Sequence, residues 1–370
     1  MKILHIVGTL NAGGIEKIVS QLAIYQKIQQ DQNPIIACAL RKEGLFIDPI
    51  ERAGIPIVEL GYSRKHPLDL TRKLLRLFSM EHPDIIHSHV NFSLLFQGLP
   101  RLIYPIPLVY TQHSMSKYSQ SKSFRLRAFG GFSIIKRKPF RHTAVSKYAA
   151  NYATGIYPTK VSDITVIYNG INHQDFRFDE EKRRNVRSEW GISEDQIVIG
   201  CVGRLDPVKG YDILLKSFAL LVKNDPSVKA QLVIVGTGNQ FSDLSRLSED
   251  LGIAEQVHWL GTSNSVPAVL SGFDIYVQTS RWETFSLTML EGLANGLPVI
   301  TTRNSGISEF SFFGDQLIIE ESLDPRIFAD HLQEQMKIHR VRGRLSKRFP
   351  EEYTLKYMSE KYLEIYKELL

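Results

Sequence analysis

Short apolar runs alternate with longer amphipathic segments from the first residues onward. Ile3–Val7 reads as a buried strand, a glycine-containing loop follows, and a helical period runs from about Gly14 to Gln29. Ile35–Leu40, Ile57–Leu60, Ile85–His87, Leu108–Thr111, Thr143–Val145 and Ile164–Ile167 are further short strands, most of them separated by helix-length stretches. The polar, charged segment from Tyr168 to Glu189, with a turn at Asn169-Gly170, reads as a linker. The pattern then restarts. Ile197–Val202, Gln231–Val235, Val257–Leu260, Ile275–Val277 and Val299–Thr301 predict strands, with helices near Gly210–Lys223, Phe241–Leu251 and Ser286–Asn295. Strand–helix alternation predicts parallel sheets covered by helices on both faces. A last helix carries Leu355, Met358, Tyr362, Ile365 and Leu369 at spacings of three and four.

The 370 residues suit two α/β domains of similar size. In open α/β sheets ligands bind beyond the carboxyl ends of the strands, so two such domains facing across a cleft would place chemistry in the loops after strands. At 43% hydrophobic and 23% charged, the composition excludes a disordered, collagenous or coiled-coil chain. The two cysteines, Cys38 and Cys201, make no disulfide framework and point to a reducing compartment. The apolar N-terminal run, interrupted by His5, is too short for a signal peptide, and no stretch approaches a membrane span. A cytoplasmic protein is expected, with peripheral association at the membrane's cytoplasmic face as the farthest departure from it.

Charge sharpens this picture. The net charge is +6, yet the window from Ile85 to Ser162 holds no Asp or Glu and eleven Lys or Arg, leaving the rest of the chain at −5. Such asymmetry points to an anionic partner. Within region 117–141, Phe124, Phe129, Phe132, Ile135 and Phe140 alternate with cations, a pattern equally suited to an anionic bilayer and to a packed amphipathic helix. Gly130-Gly131 is expected to break a continuous helix there. No nucleic-acid recognition module is present.

Several loops carry candidate chemistry. Ser280 to Val299 runs from the end of a strand into a helix, with Glu283 in the loop and Glu291 inside the helix. Backbone N–H groups near Phe285, Ser286 and Leu287 could hold an anion, and the carboxylates could accept sugar hydroxyls, although by spacing alone two surface glutamates would read the same. Gly203 to Gly210 places Arg204 and Lys209 after another strand, a pair suited to a diphosphate; a capped helix with a solvated lysine is the plainer reading. Gly13-Gly14 and Gly236-Thr237-Gly238 are close-approach loops, but the dinucleotide Gly-x-Gly-x-x-Gly spacing is missing, which argues against an NAD oxidoreductase. His113 follows the strand Leu108–Thr111. His87 and His89 lack an evident third ligand and read as structural, and no Asp-x-Asp metal motif occurs.

Together the Glu283-x7-Glu291 segment with its tail Ala294–Val299, the Gly203-Arg204-Leu205 to Lys209-Gly210 segment, Gly13-Gly14-Ile15-Glu16, Ala144-Val145-Ser146, Val166–Ile171 and Val257–Gly261 occur in one order. That order resembles the retaining glycosyltransferases of the GT-B fold, family 4 (glycosyl transferases group 1), over nearly the whole chain. The resemblance implies a Rossmann-like acceptor domain over 1–172, a Rossmann-like nucleotide-sugar donor domain over 173–351, and a C-terminal helix, 352–370, crossing back to the first domain. It implies that Arg204 and Lys209 bind the donor diphosphate, Glu291 the ribose, and that Glu283 faces the donor sugar. Gly13 and Gly14 would let the first domain approach the diphosphate, Trp259 and Leu260 would border the base, and His113 would lie near the transferred sugar. It further implies no metal or other cofactor, a UDP-linked donor by family frequency, and a lipid-linked or saccharide acceptor in cell-envelope or exopolysaccharide synthesis.

This chain departs from the family at Thr284 and Ser286, where glycines are frequent, at Ser305 before Gly306, and at Asn172, where an acidic residue is frequent. These departures bear on donor identity. They leave open a nucleotide-sugar epimerase of the same fold, or a non-catalytic nucleotide-sugar-binding partner of another transferase.

Overall fold

The computed structural model describes residues 1–63, 65–90, 94–113, 122–137, 139–303, 306–342 and 348–370, without the side chains of 122–127, 308, 311 and 339–342. The chain forms two compact units: Met1–Ile171 with Glu351–Leu370, and Asn172–Pro350.

The first unit is built on seven strands, β1 (Lys2–Val7), β2 (Asn33–Cys38), β3 (Ile57–Glu59), β4 (Ile85–Ser88), β5 (Leu108–Gln112), β6 (Phe140–Ala144) and β7 (Ile164–Val166). They pair in the order β3-β2-β1-β4-β5-β6-β7, and every pairing is parallel. Both sheet faces are covered, so β1 reads as an almost unbroken apolar run. Its helices are α1 (Gly14–Gln29), α2 (Ile47–Arg52), α3 (Leu68–Glu81), α4 (Leu94–Gly98), α5 (Lys122–Ile135) and α6 (Lys147–Thr154).

The second unit begins with α7 (Glu180–Trp190) and carries β8 (Ile197–Val202), α8 (Tyr211–Asn224), β9 (Ala230–Val235), α9 (Phe241–Asp250), β10 (Val257–Trp259), α10 (Val266–Gly272), β11 (Ile275–Gln278), α11 (Leu287–Ala294), β12 (Val299–Thr302), β13 (Leu317–Glu320) and α12 (Pro325–Arg342). Its six strands pair in the parallel order β10-β9-β8-β11-β12-β13. Leu214 and Phe218 of α8 and Phe328 and Leu332 of α12 share one buried core with β8, β9 and β11. Two Rossmann-like parallel-sheet units are thus present. α13 (Leu355–Leu369) belongs to the first unit and buries Met358, Tyr362, Ile365 and Tyr366.

Three expectations change. The linker read over Tyr168–Glu189 contains most of α7: Asp179 caps it by accepting from the amides of Glu181 and Lys182, and Gly191 ends it in the left-handed region. Its charge reflects a surface helix, anchored by Arg187. β13 went unread because Leu317–Ile319 is only three apolar residues long before Glu320.

Gly130-Gly131 does not break α5, which runs continuously through both. A side chain at residue 131 would meet the Leu95 amide nitrogen at 2.8 Å, so the glycine serves close approach of α4. Of the basic region, residues 117–121 and Lys138, with the side chains of 122–127, lie outside the described residues. Phe132 and Ile135 are buried in the first unit, whereas Phe129, Lys136 and Arg137 are exposed. Arg101 is buried and donates to the carbonyls of Ile106, Ile135, Arg137 and Pro139, and Arg141 pairs with Glu368 at 2.8 Å. Part of the positive charge therefore serves the fold.

Candidate functional site

Each sheet has a topological switch point, where neighbouring strands lead away in opposite directions and leave a crevice at their carboxyl ends. In the second unit it lies between β8 and β11. The loop after β8 holds Gly203 to Gly210, and the loop after β11 holds Thr279 to Ser286.

Local chemistry ties these loops together. Asp206 accepts from the Val208 amide at 3.1 Å and caps a turn of 3-10 helix over Pro207–Lys209. Gly210 then adopts φ of +67°, and a side chain there would strike the Thr279 carbonyl oxygen at 2.1 Å. The Thr279 hydroxyl donates to the Gly210 carbonyl, and the Arg281 amide to that of Val208. Arg281 also grips Asp212 through two bonds of 2.8 Å each. Burial alone would raise the Asp212 carboxyl; the bonds from Arg281 bring it below its ordinary value.

The two loops meet at their candidate side chains. The Lys209 ammonium contacts the Glu283 carboxylate at 2.5 Å, with side chains 24% and 17% exposed. Arg204 stands apart, 70% exposed, with its guanidinium 3.7 Å from Asp206. The Gly306 amide donates to the Glu283 carbonyl at 3.0 Å and fixes that loop from the other side; Ser305 lies outside the described residues. Ser286 caps α11 by accepting from Met289, and its hydroxyl donates to Gln278 at 2.5 Å. Phe285 packs on Phe310, and Leu287 is buried.

Other expected residues sit less simply. Glu291 is fully buried on α11, so a ribose reaching it must displace its cover. Trp259 ends β10 half-buried against the core, edge-on to Phe241 at 5.6 Å, and Leu260 follows it with its amide on Ile234. Gly236 and Gly238 press on the neighbouring loop: added side chains would meet the carbonyl oxygens of Gly203 at 1.9 Å and Leu205 at 2.2 Å. Their immediate purpose is this loop–loop contact, which supports Arg204 from behind.

In the first unit the switch point lies between β1 and β4. A cavity of about 240 Å³ opens at these carboxyl ends, lined by Thr9, Glu16, His89, Gln112 and His113 among others. Gly13 precedes α1 and Gly14 begins it; the Glu16 carboxylate folds back over Gly13, 2.2 Å from where a side chain there would begin.

His113 is the end of a buried row that the sequence did not reveal. Its Nε2 lies 2.9 Å from Nδ1 of His89, whose Nε2 lies 3.0 Å from Nδ1 of His5, whose Nε2 lies 2.8 Å from the Gln26 amide oxygen. Burial depresses all three histidines: His5 to about 4, His113 to about 3, and His89 well below the ordinary range with neighbouring histidines adding to the effect. His87 is tied separately, to the Tyr366 hydroxyl at 2.6 Å and Thr111 at 2.7 Å. His5, His87 and His89 bring ring nitrogens within 4.8 Å of one another, as a metal site would need, but those nitrogens already serve these hydrogen bonds. The signal available in the sequence was His5 itself, a polar residue inside an apolar strand.

Comparison with known proteins gives this geometry a family. The family model "Glycosyltransferase Family 4" matches residues 12–175, and "Glycosyl transferases group 1" matches 182–352. The chain is 29% identical over 242 residues to D-inositol 3-phosphate glycosyltransferase of Actinosynnema mirum, a match covering 61% of this chain and 57% of that one. It is 29% identical over 305 residues to N-acetyl-alpha-D-glucosaminyl L-malate synthase of Bacillus anthracis, covering 81% and 78%. The chain thus spans little more than half the length of the first relative and over three quarters of the second. Among solved structures, Anabaena HepE in complex with UDP and glucose shares the fold across 100% of both chains, with a TM-score of 0.85 at 18% identity. With one model on each α/β unit, the chain belongs to the group 1, family 4 glycosyltransferases.

Proposed function

We propose that this protein moves a hexosyl unit from a nucleotide sugar, UDP-linked by preference, to an acceptor hydroxyl with retention at the anomeric carbon. The observation that carries the reading is the Lys209–Glu283 pair, held by two interlocked loops at the switch point of the second unit, with Arg204 exposed on the same β8 loop. A lysine held by a carboxylate in a built loop is oriented before any ligand arrives. Lys209 and Arg204 bind the donor diphosphate, Glu283 accepts hydroxyls of the donor sugar, and Glu291 takes the ribose after local opening.

In the proposed reaction the bond between the anomeric carbon and the diphosphate oxygen breaks. Lys209 and Arg204 stabilise the negative charge that grows on the leaving oxygen, with no metal required. The sugar gains oxocarbenium character, the acceptor oxygen attacks from the same face, and its proton passes to the departing phosphate. His113, at the carboxyl end of β5, contacts the transferred sugar.

The acceptor is a lipid-linked or saccharide hydroxyl, and the working location is the cytoplasmic membrane face. Exposed Phe129, Leu102 and Ile103, beside exposed Lys136 and Arg137 in the acid-free window, support this part of the reading. Among the described residues no helix is long and apolar enough to cross a membrane.

The test is transfer from a radiolabelled sugar-nucleotide panel to lipid extracts and oligosaccharides, comparing wild type with Glu283→Ala. Transfer by the wild type and its near-loss in the variant support the reading. Normal turnover by Glu283→Ala contradicts the sugar-facing role.

A further inference from the structure

We infer that Gln26, His5 and His89 are positioning residues: their hydrogen-bonded row fixes His113 as the Nε2–H tautomer and leaves its Nδ1 as an acceptor for a sugar hydroxyl at the first unit's cavity. The inference deepens the sugar-transfer reading and rests on it for the identity of the hydroxyl.

The direction of the row follows from its fixed end. With its oxygen turned to His5, as the structure places it, the Gln26 amide accepts, and His5 donates to it from Nε2. A neutral imidazole carries one proton, so Nδ1 of His5 is an acceptor and takes the Nε2–H of His89. Nδ1 of His89 in turn accepts, and the Nε2–H of His113 donates to it. Every ring is buried, and burial holds each one neutral at working pH, as the row requires. One amide on α1 thereby sets the proton position on a residue after β5, through β1 and the residue following β4.

The remaining polar atom of His113 is Nδ1, a lone pair on a residue that lines the cavity with Thr9, Thr111 and Gln112. A fixed acceptor selects a hydroxyl that can donate at that point. The opposite tautomer would present an N–H and turn the same position into a donor. His87 does not join the row: both its nitrogens go to Tyr366 and Thr111, which anchors α13 on the same unit.

The test is a long-range ¹H–¹⁵N spectrum of the histidine-labelled full chain, with His113 assigned by substitution, alongside steady-state transfer. Wild type is expected to show His113 as the Nε2–H tautomer. Gln26→Met removes the fixed acceptor and is expected to give a tautomer mixture at His113. It should lower kcat roughly tenfold while leaving the affinity for the nucleoside diphosphate alone unchanged. Wild-type His113 found as Nδ1–H or as imidazolium would overturn the inference without any variant. So would Gln26→Met with unchanged spectrum and unchanged kcat. The two levels separate cleanly. Nδ1–H at His113 in a protein that transfers sugar removes the row and leaves the function. Nε2–H at His113 in a protein that binds no sugar nucleotide removes the function and leaves the row.

Discussion

Acid should unfold the first unit before the second. His5, His113 and His142 are buried there with pKa values pushed down to about 4, 3 and 3. In the unfolded chain each returns to about 6.5 and takes up a proton as the pH falls through that value. The unfolded state then binds more protons than the folded one, so stability is intact above about pH 6.5 and is lost below it, until the folded values near 4 and 3 are reached.

At pH 5 each of the three has titrated about 1.5 units into this window, a loss of about 2 kcal/mol each and roughly 6 kcal/mol together. His87 and His89, lowered further, act in the same direction. A typical domain has about 5–15 kcal/mol in total, so this loss decides whether the unit stays folded. The assay is urea titration of the full chain at pH 7.5 and 5.0, read by hydrogen exchange on peptides from β1, β4 and β5 against peptides from β8 and β11. His142 supplies an internal control. Among the described residues its ring nitrogens have no hydrogen-bond partner, and it sits among Tyr110, Phe132, Phe140 and Tyr157, so His142→Phe, one of five such histidines, should remove about a fifth of the acid sensitivity. A first unit whose stability changes by less than about 1 kcal/mol over this range refutes the argument.

Other predictions concern the second unit and the surface. Lys209→Ala should weaken UDP binding by about 10- to 100-fold in calorimetry, the worth of a charge-assisted hydrogen bond, while Glu283→Gln should spare UDP binding and depress turnover. Asp274→Ala takes the buried carboxylate from both Arg187 and Arg183, leaving Arg187 only the half-exposed Glu194 at 3.6 Å, and should cost about 3–5 kcal/mol in urea titration. The full chain should float with vesicles containing anionic lipid at low salt and be released at high salt; absence of flotation at low salt would remove the membrane part of the proposal.

The sequence displayed the fold where periodicity is local. Buried parallel strands are short apolar runs, and helices such as α1 and α8 carry their own apolar period. The β8 and β11 loops were legible because Arg204, Lys209 and Glu283 follow recognisable strands. What stayed hidden depends on register. Residues 5, 26, 89 and 113 become one row only because β1 pairs with β4 so that His5 lies opposite His87, and because α1 returns over the sheet. Arg101 is one of the eleven cations of the acid-free window, and only the fold surrounds it with carbonyls. α7 looked like a linker because a solvated helix anchored through two arginines, Arg183 and Arg187, has little apolar period of its own.

A sugar-nucleotide site built on Lys209 and Arg204 in the second unit is tested by calorimetric titration of the full chain with UDP-, GDP- and ADP-sugars in EDTA, with NAD as control. Saturable, EDTA-independent binding of a sugar nucleotide, weakened by Lys209→Ala, is the expected result. Binding of NAD alone, or sugar-nucleotide binding that EDTA abolishes, would contradict it.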